Sequence, residues 1–128
     1  MFRILLGIFF ILHGLVHLWY FTLSQRLVPF EPEMGWTGRS WLLTGILGDN
    51  MARTIASVLF VLATLGFVAG GAGYLADLGW WRTALIVSAV LSAVTTLAFW
   101  DGSAQYIVQK GLLGLLIDIG ILLWLLVF

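Results

Sequence analysis

The stretch Arg3–Phe21, RILLGIFFILHGLVHLWYF, is apolar enough to enter a bilayer, yet it carries both histidines of the chain. At about 100° of rotation per residue, Arg3, Gly7, Phe10, His13, Gly14, His17 and Phe21 fall on one face of a helix. Hydrocarbon offers no partner to an ionisable side chain. Other segments must therefore pack against this face, which makes the stretch one wall of a bundle.

The composition supplies those segments. Of 128 residues, 62% are hydrophobic and 9% charged, and the mean hydropathy is +1.09. Soluble domains are about 25% charged, so the chain reads as an integral membrane protein in contact with lipid. Six Lys/Arg balance six Asp/Glu, leaving no basic surface for nucleic acid. The absence of cysteine excludes disulfides and thiolate metal sites. The opening run exceeds a signal-peptide core and no Ala-x-Ala site follows it, so it reads as a transmembrane helix.

Four apolar runs are long enough to cross a core of about 30 Å: residues 1–23, 51–75, 80–100 and 106–128. They predict a single all-α transmembrane domain, a four-helix bundle in up-down-up-down order. Residues 24–50 form the one long loop, where Pro29 and Pro32 disfavour helix around Phe30 and Glu31. Trp36, Trp41, Leu42, Leu43, Ile46 and Leu47 give that loop an apolar side. A short interfacial helix over Ser40–Leu47, lying across the bundle mouth, is one reading; a loop dipping its Trp residues into the headgroups is the other. The tryptophans read mainly as interfacial anchors.

Small residues mark the packing faces. Ala56, Ala63 and Gly70, with Ser57, Thr64 and Gly71, recur every seven residues in the second run. Ala84, Ser88, Ser92 and Thr96 recur every four in the third. Both patterns are close-packing seams between membrane helices. Lys/Arg fall as Arg3 and Arg82 at one face of the bundle, against Arg26, Arg39, Arg53 and Lys110 at the other. Counting the N-terminal amine nearly levels them, so no orientation follows. The chain stops on Leu-Leu-Val-Phe, so either its end sits at the interface or the native chain runs on.

Three ionisable groups lie inside the spans: His13, His17 and Asp118. His13 and His17 are one turn apart, a spacing that can chelate a metal ion if a third ligand joins, and Asp118 is the only carboxylate deep in a span. No metal is specified by this set. Two histidines on one helix face cannot occupy opposite sides of one haem within a chain. Asp118 stands near the middle of the last run, where a carboxyl group must be protonated or paired. A contact with His13 buries both groups; a hydrogen bond to Ser88 or Ser92 is the alternative. A charged side chain at the helix centre costs about 2.5–3.5 kcal/mol on insertion scales, while a hydrogen bond between membrane helices returns about 0.6 kcal/mol on average. Such a group is poor glue, which favours a task or a specific pairing. Gly7 and Gly14 on the first helix, and Gly111 and Gly114 on the last, lie on the same stripes as these groups. They predict either a close approach of the first and last helices or room for a headgroup between them.

Arg3, Leu5-Leu6-Gly7, Phe10 and His13-Gly14 followed by His17-Leu18 resemble the first helix of DoxX-like membrane proteins. Those open with Arg, a Leu-Gly pair, Phe and His-Gly ahead of a Lys or similar residue. Here His17 stands where Lys is frequent, and the second run lacks the acidic residue such proteins often carry near its start. The resemblance covers about eighteen residues. It implies a four-helix bundle in the bacterial cytoplasmic membrane, linked to quinone-connected redox complexes or accessory to a partner protein.

Two function classes follow. The first is an accessory subunit of a membrane complex, with His13, His17 and Asp118 beside a quinone headgroup or on a proton path. The second is a non-catalytic packing or assembly protein whose buried polar groups fix helix register. A third, a small proton-coupled carrier or ligand-binding bundle, would work as an oligomer. The partners expected are lipid and other membrane subunits or further copies of the chain. The sequence has no nucleotide loop, nucleophile constellation or thiolate site, so no stand-alone enzyme is read from it.

Overall fold

A computed structural model describes residues 1–31 and 34–128; the Pro32 part of the expected proline break lies outside the described residues, as does Glu33. The chain is all-helical among the described residues: α1 (Phe2–Ser24), α2 (Thr44–Leu47), α3 (Asp49–Leu75), α4 (Trp81–Ala98) and α5 (Leu113–Val127), with a π-helical turn over Val108–Leu112 leading into α5. Four helical segments, the last including the π turn, are long and apolar enough to cross a membrane. α1 packs on α3, α3 on α4 and α4 on α5, each antiparallel to its neighbour in the chain. Both longer connections therefore lie at one face, the loop face, and the tight turn between α3 and α4 lies at the other.

Local chemistry explains how the helices stop. α1 ends with Arg26 at φ 52 and α3 with Asp77 at φ 60, each in the left-handed conformation. Leu27 N then donates to Thr22 O at 3.1 Å, and Leu78 N to Gly73 O at 2.9 Å, satisfying carbonyls that a helix end otherwise leaves open. At the tight-turn face, Arg3 donates to Tyr74 O at 2.7 Å and Arg82 to Leu125 O at 2.8 Å. Cations thus meet the negative ends of α3 and α5.

The seams face protein. Ala56, Ser57, Ala63, Thr64, Gly70 and Gly71 are buried, as are Ser88 and Ser92, while Ala84 and Thr96 are half-buried. Leu62, Leu65, Val87, Val94, Leu116 and Leu123 point outward, as lipid-facing residues should.

The glycines of α1 serve a different neighbour from the one expected. A Cβ at Gly7 would meet Leu75, and one at Gly14 would lie 2.6 Å from Phe67 Cβ, so these residues bring α1 against α3 rather than α5. Gly114 has no atom within 4 Å of a would-be Cβ. Gly111 sits in the π turn at φ 115, where a Cβ would lie 2.8 Å from Thr96 Cγ2. The last run is therefore not one helix from Tyr106: its π turn is broken by a kink at Gly111, whose positive φ lets it lie against α4.

The first loop closes the loop face. Trp41 N donates to Trp100 O and Trp41 Nε1 to Leu97 O, both at 2.7 Å, and Ser40 Oγ donates to Ala98 O. The loop thus caps the C-terminal end of α4, whose last carbonyls have no partner within the helix. Helix within the predicted Ser40–Leu47 is confined to the single turn of α2, with Ile46 and Leu47 exposed beside Trp41 and Leu42. Trp36 departs from the anchor reading. It is 2% exposed, packs on Phe60, and donates from Nε1 to Arg39 O, so it is core.

Candidate functional site

Three helices bring His13, His17, Ser92 and Asp118 together. α1 supplies both histidines on its buried stripe, α4 supplies Ser92 from its small-residue seam, and α5 supplies Asp118, which is fully buried. His13 Nε2 lies 2.7 Å from Asp118 Oδ1. Ser92 Oγ lies 2.5 Å from Asp118 Oδ2 and 2.6 Å from His17 Nε2. Asp118 thus makes both contacts that were alternatives from the sequence, one through each oxygen. Ser88 instead bonds back to Ala84 O.

Donor and acceptor counting constrains the protons. His17 Nδ1 lies 3.0 Å from His13 O and 3.2 Å from Gly14 O. Carbonyls only accept, so Nδ1 carries a hydrogen and donates. Ser92 has one hydroxyl hydrogen but two neighbours that would both be acceptors if Asp118 were a carboxylate and His17 neutral. One contact would then set lone pair against lone pair. The line Asp118–Ser92–His17 is satisfied only when it holds one further proton, in either of two arrangements. In the first, Asp118 Oδ2–H donates to Ser92 Oγ and Ser92 donates to His17 Nε2. In the second, His17 Nε2–H donates to Ser92 Oγ and Ser92 donates to the Asp118 carboxylate. Both are electrically neutral overall with neutral His13 donating from Nε2 to Oδ1, and they differ by a proton passed through the serine. Neutrality suits the low dielectric of a membrane interior.

Aromatic rings enclose the cluster. His17 stacks on Phe67 at 5.6 Å, His13 meets Phe67 edge-on at 4.8 Å, and Phe9 lies parallel to His13 at 6.2 Å. Phe9 also lines an apolar groove of about 330 Å³ between α1 and α5, with Leu6, Phe10, Ile117, Gly120 and Trp124. α1 and α5 make no broad backbone contact. The His13–Asp118 bond and this groove fill the space between them. Gly7, Gly14, Gly111 and Gly114, expected to shape this seam, do not line the groove; Gly120 does.

The ligand atoms of His13, His17 and Asp118 lie within 4.8 Å of one another. A tetrahedral ion with bonds of about 2.0–2.1 Å separates its ligands by about 3.3 Å. The 2.7 Å His13–Asp118 bond is tighter than that, and Ser92 stands between Asp118 and His17. The three groups are closed on one another through protons and would have to open to hold a metal. The two imidazoles sit edge to face at 5.3 Å on one side of the bundle, so they cannot clamp a haem between them.

A second polar centre escapes the sequence reading. Lys110 Nζ donates to Asp101 Oδ1 at 3.0 Å, with side chains 5% and 3% exposed. Lys110 was counted as a face charge, yet it is buried in the π turn. Its place as the one cation in an otherwise apolar run was the available signal. Tyr20 and Thr95 were also missed. Tyr20 Oη donates to Gln109 O at 3.0 Å, and Thr95 Oγ1 is fully buried without a partner among the described residues.

Comparison with protein-family models, with curated proteins and with solved structures returns no match to this chain. The DoxX-like resemblance rests on the first-helix residues that carry it.

Proposed function

We propose that this protein is a membrane-embedded accessory subunit that binds a quinone-class ligand and exchanges a proton with it at the His13–Asp118–Ser92–His17 centre. The observation that carries the reading is the hydrogen-bond arithmetic. The centre needs one proton beyond those fixed by its other contacts, and that proton has two resting places joined by a single hydroxyl. A quinone takes up and gives back protons as it is reduced and oxidised, and an isoprenoid tail suits an apolar groove open to lipid. The α1–α5 groove ends one turn from His13 and beside Asp118, with Phe9 as the wall between. Electrons would be delivered by a redox partner, which is the sense in which the subunit is accessory. The DoxX-like first helix points the same way, and with it a bacterial cytoplasmic membrane.

The packing reading keeps one observation in its favour: every polar side-chain contact of the cluster is reciprocated within the bundle. The two readings differ in what Gly120 does. Its would-be Cβ meets nothing within 4 Å, so Gly120→Leu fills the groove without disturbing the core. In reconstituted protein, a short-chain quinone should quench Trp124 fluorescence in the wild type, and Gly120→Leu should abolish the saturable part with unchanged melting. Equal saturation in wild type, Gly120→Leu and Asp118→Asn would leave only the packing role.

A further inference from the structure

We propose that the buried proton centre exchanges with water at the loop face through a track formed by Thr95, Tyr20 and the Lys110–Asp101 pair. This rests on the reading of the Asp118–Ser92–His17 line as a proton store and names the route that fills and empties it.

α1 and α4 both run toward the loop face. One turn beyond His17 on α1 stands Tyr20, and one turn beyond Ser92 on α4 stand Thr95 and Thr96. Phe60 packs on both His17 and Tyr20, at 6.3 and 5.3 Å, so the two layers are stacked. This next layer is polar where the lipid-facing surface is not. Thr95 Oγ1 is buried and makes no hydrogen bond among the described residues, although Ser57, Thr64 and Ser88 all bond back to the carbonyl four residues earlier. A buried hydroxyl without a partner is costly, and this one shares a helical turn with Thr96, which opens onto a water-sized space. Thr96, with Tyr20, Trp36, Phe60, Phe99 and Lys110, lines a void of about 10 Å³ toward the loop face, roughly what one water needs. Lys110 Nζ uses two of its hydrogens on Asp101 Oδ1 and Ser103 O, leaving one for the void. Tyr20 Oη gives its hydrogen to Gln109 O and keeps its lone pairs for a water. Asp101 then accepts from Ser103 N and Thr37 Oγ1 in the loops that close this face. The π turn and Gly111 make room for the track, since a Cβ there would strike Thr96 and lie 3.5 Å from Tyr20 Oη.

The test follows the stored proton itself and leaves quinone out. Full-length protein in detergent is moved into deuterated buffer. Exchange is followed at the Asp118 carboxyl band by infrared and at the His17 ring by nitrogen NMR, so the proton is seen at either resting place. Thr95→Val removes the hydroxyl at constant shape, and Tyr20→Phe removes the phenol. Each should slow exchange about tenfold, the effect of losing one hydrogen-bonding group, while Val87→Ala on the outward face of α4 leaves the rate unchanged. If Thr95→Val fails to fold, Tyr20→Phe decides alone. Wild-type rates in both variants, or equal slowing in Val87→Ala, would overturn the track and leave the proton store standing. Absence of the proton signal at both Asp118 and His17 would overturn track and store together.

Discussion

The mid-bundle centre of His13, His17, Ser92 and Asp118 and the loop-end pair of Asp101 and Lys110 are buried to similar degrees, yet they are satisfied by different means. At mid-bundle the groups come from three helices, with partners up to 105 residues apart, and balance is reached by placing a proton. At the loop end the partners are nine residues apart and balance is reached by two fixed charges. Those charges keep backbone partners, Ser103 O for the ammonium and Ser103 N for the carboxylate. Depth accounts for the contrast. Fixed ions survive where irregular backbone can solvate them, whereas at the centre the helices have spent their amides and carbonyls on one another. Near the face the charge is kept and the backbone adjusts; at the centre the backbone is fixed and the proton adjusts.

The sharpest way to break this comparison is Lys110→Met. It leaves Asp101 buried without its cation, and the loss should be about 3–5 kcal/mol, read as a lower unfolding midpoint in detergent. Adding Asp101→Asn should restore most of that loss, because both charges are then gone. A double variant no more stable than the single would mean that the loop end does not depend on paired charge.

At mid-bundle the same logic predicts a smaller effect that depends on shape. Asp118→Leu strands His13 Nε2–H and removes the proton shared with Ser92, for a loss of about 1–3 kcal/mol. Asp118→Asn should unfold within about 0.5 kcal/mol of wild type. Its amide oxygen accepts from His13, and its NH₂ donates to Ser92 as the protonated acid does. A strongly destabilised asparagine variant would show that the carboxylate charge, rather than the proton pattern, holds the centre.

Arg26→Ala sets the lower end of the scale. Arg26 pairs with Asp49 at 2.5 Å, but the side chains are 63% and 38% exposed. A solvent-screened pair of this kind contributes about 0–1 kcal/mol, so the unfolding midpoint should barely move and should be insensitive to added salt. A large loss there would mean the loop face is less wet than its exposure indicates.

Much of the candidate site was legible in advance. His13, His17 and Asp118 declare themselves because ionisable groups in an apolar run have few places to go, and matching depth on the first and last spans brings His13 to Asp118. Ser92 was visible as a seam residue, but its position between Asp118 and His17 was not. Which of two serines one turn apart reaches the acid depends on the rotation of α4, and Ser88 turns to its own backbone instead. Lys110 was misread because a charge near the start of a span ordinarily reaches the surface. The π turn at Gly111 folds it inward.

The sequence by itself determined the four spanning helices, their order, the buried stripe of α1 and the seams of α3 and α4. Each of these follows from hydrophobic period and length, which the bilayer enforces on every residue independently of its distant partners. The tertiary structure decided which helix each glycine serves, the groove left between α1 and α5, the serine that joins acid to imidazole, and the buried pair at the loop end. These depend on helix rotation and on one left-handed glycine. Periodicity is blind to both, because it assigns a residue to a face without saying what stands opposite.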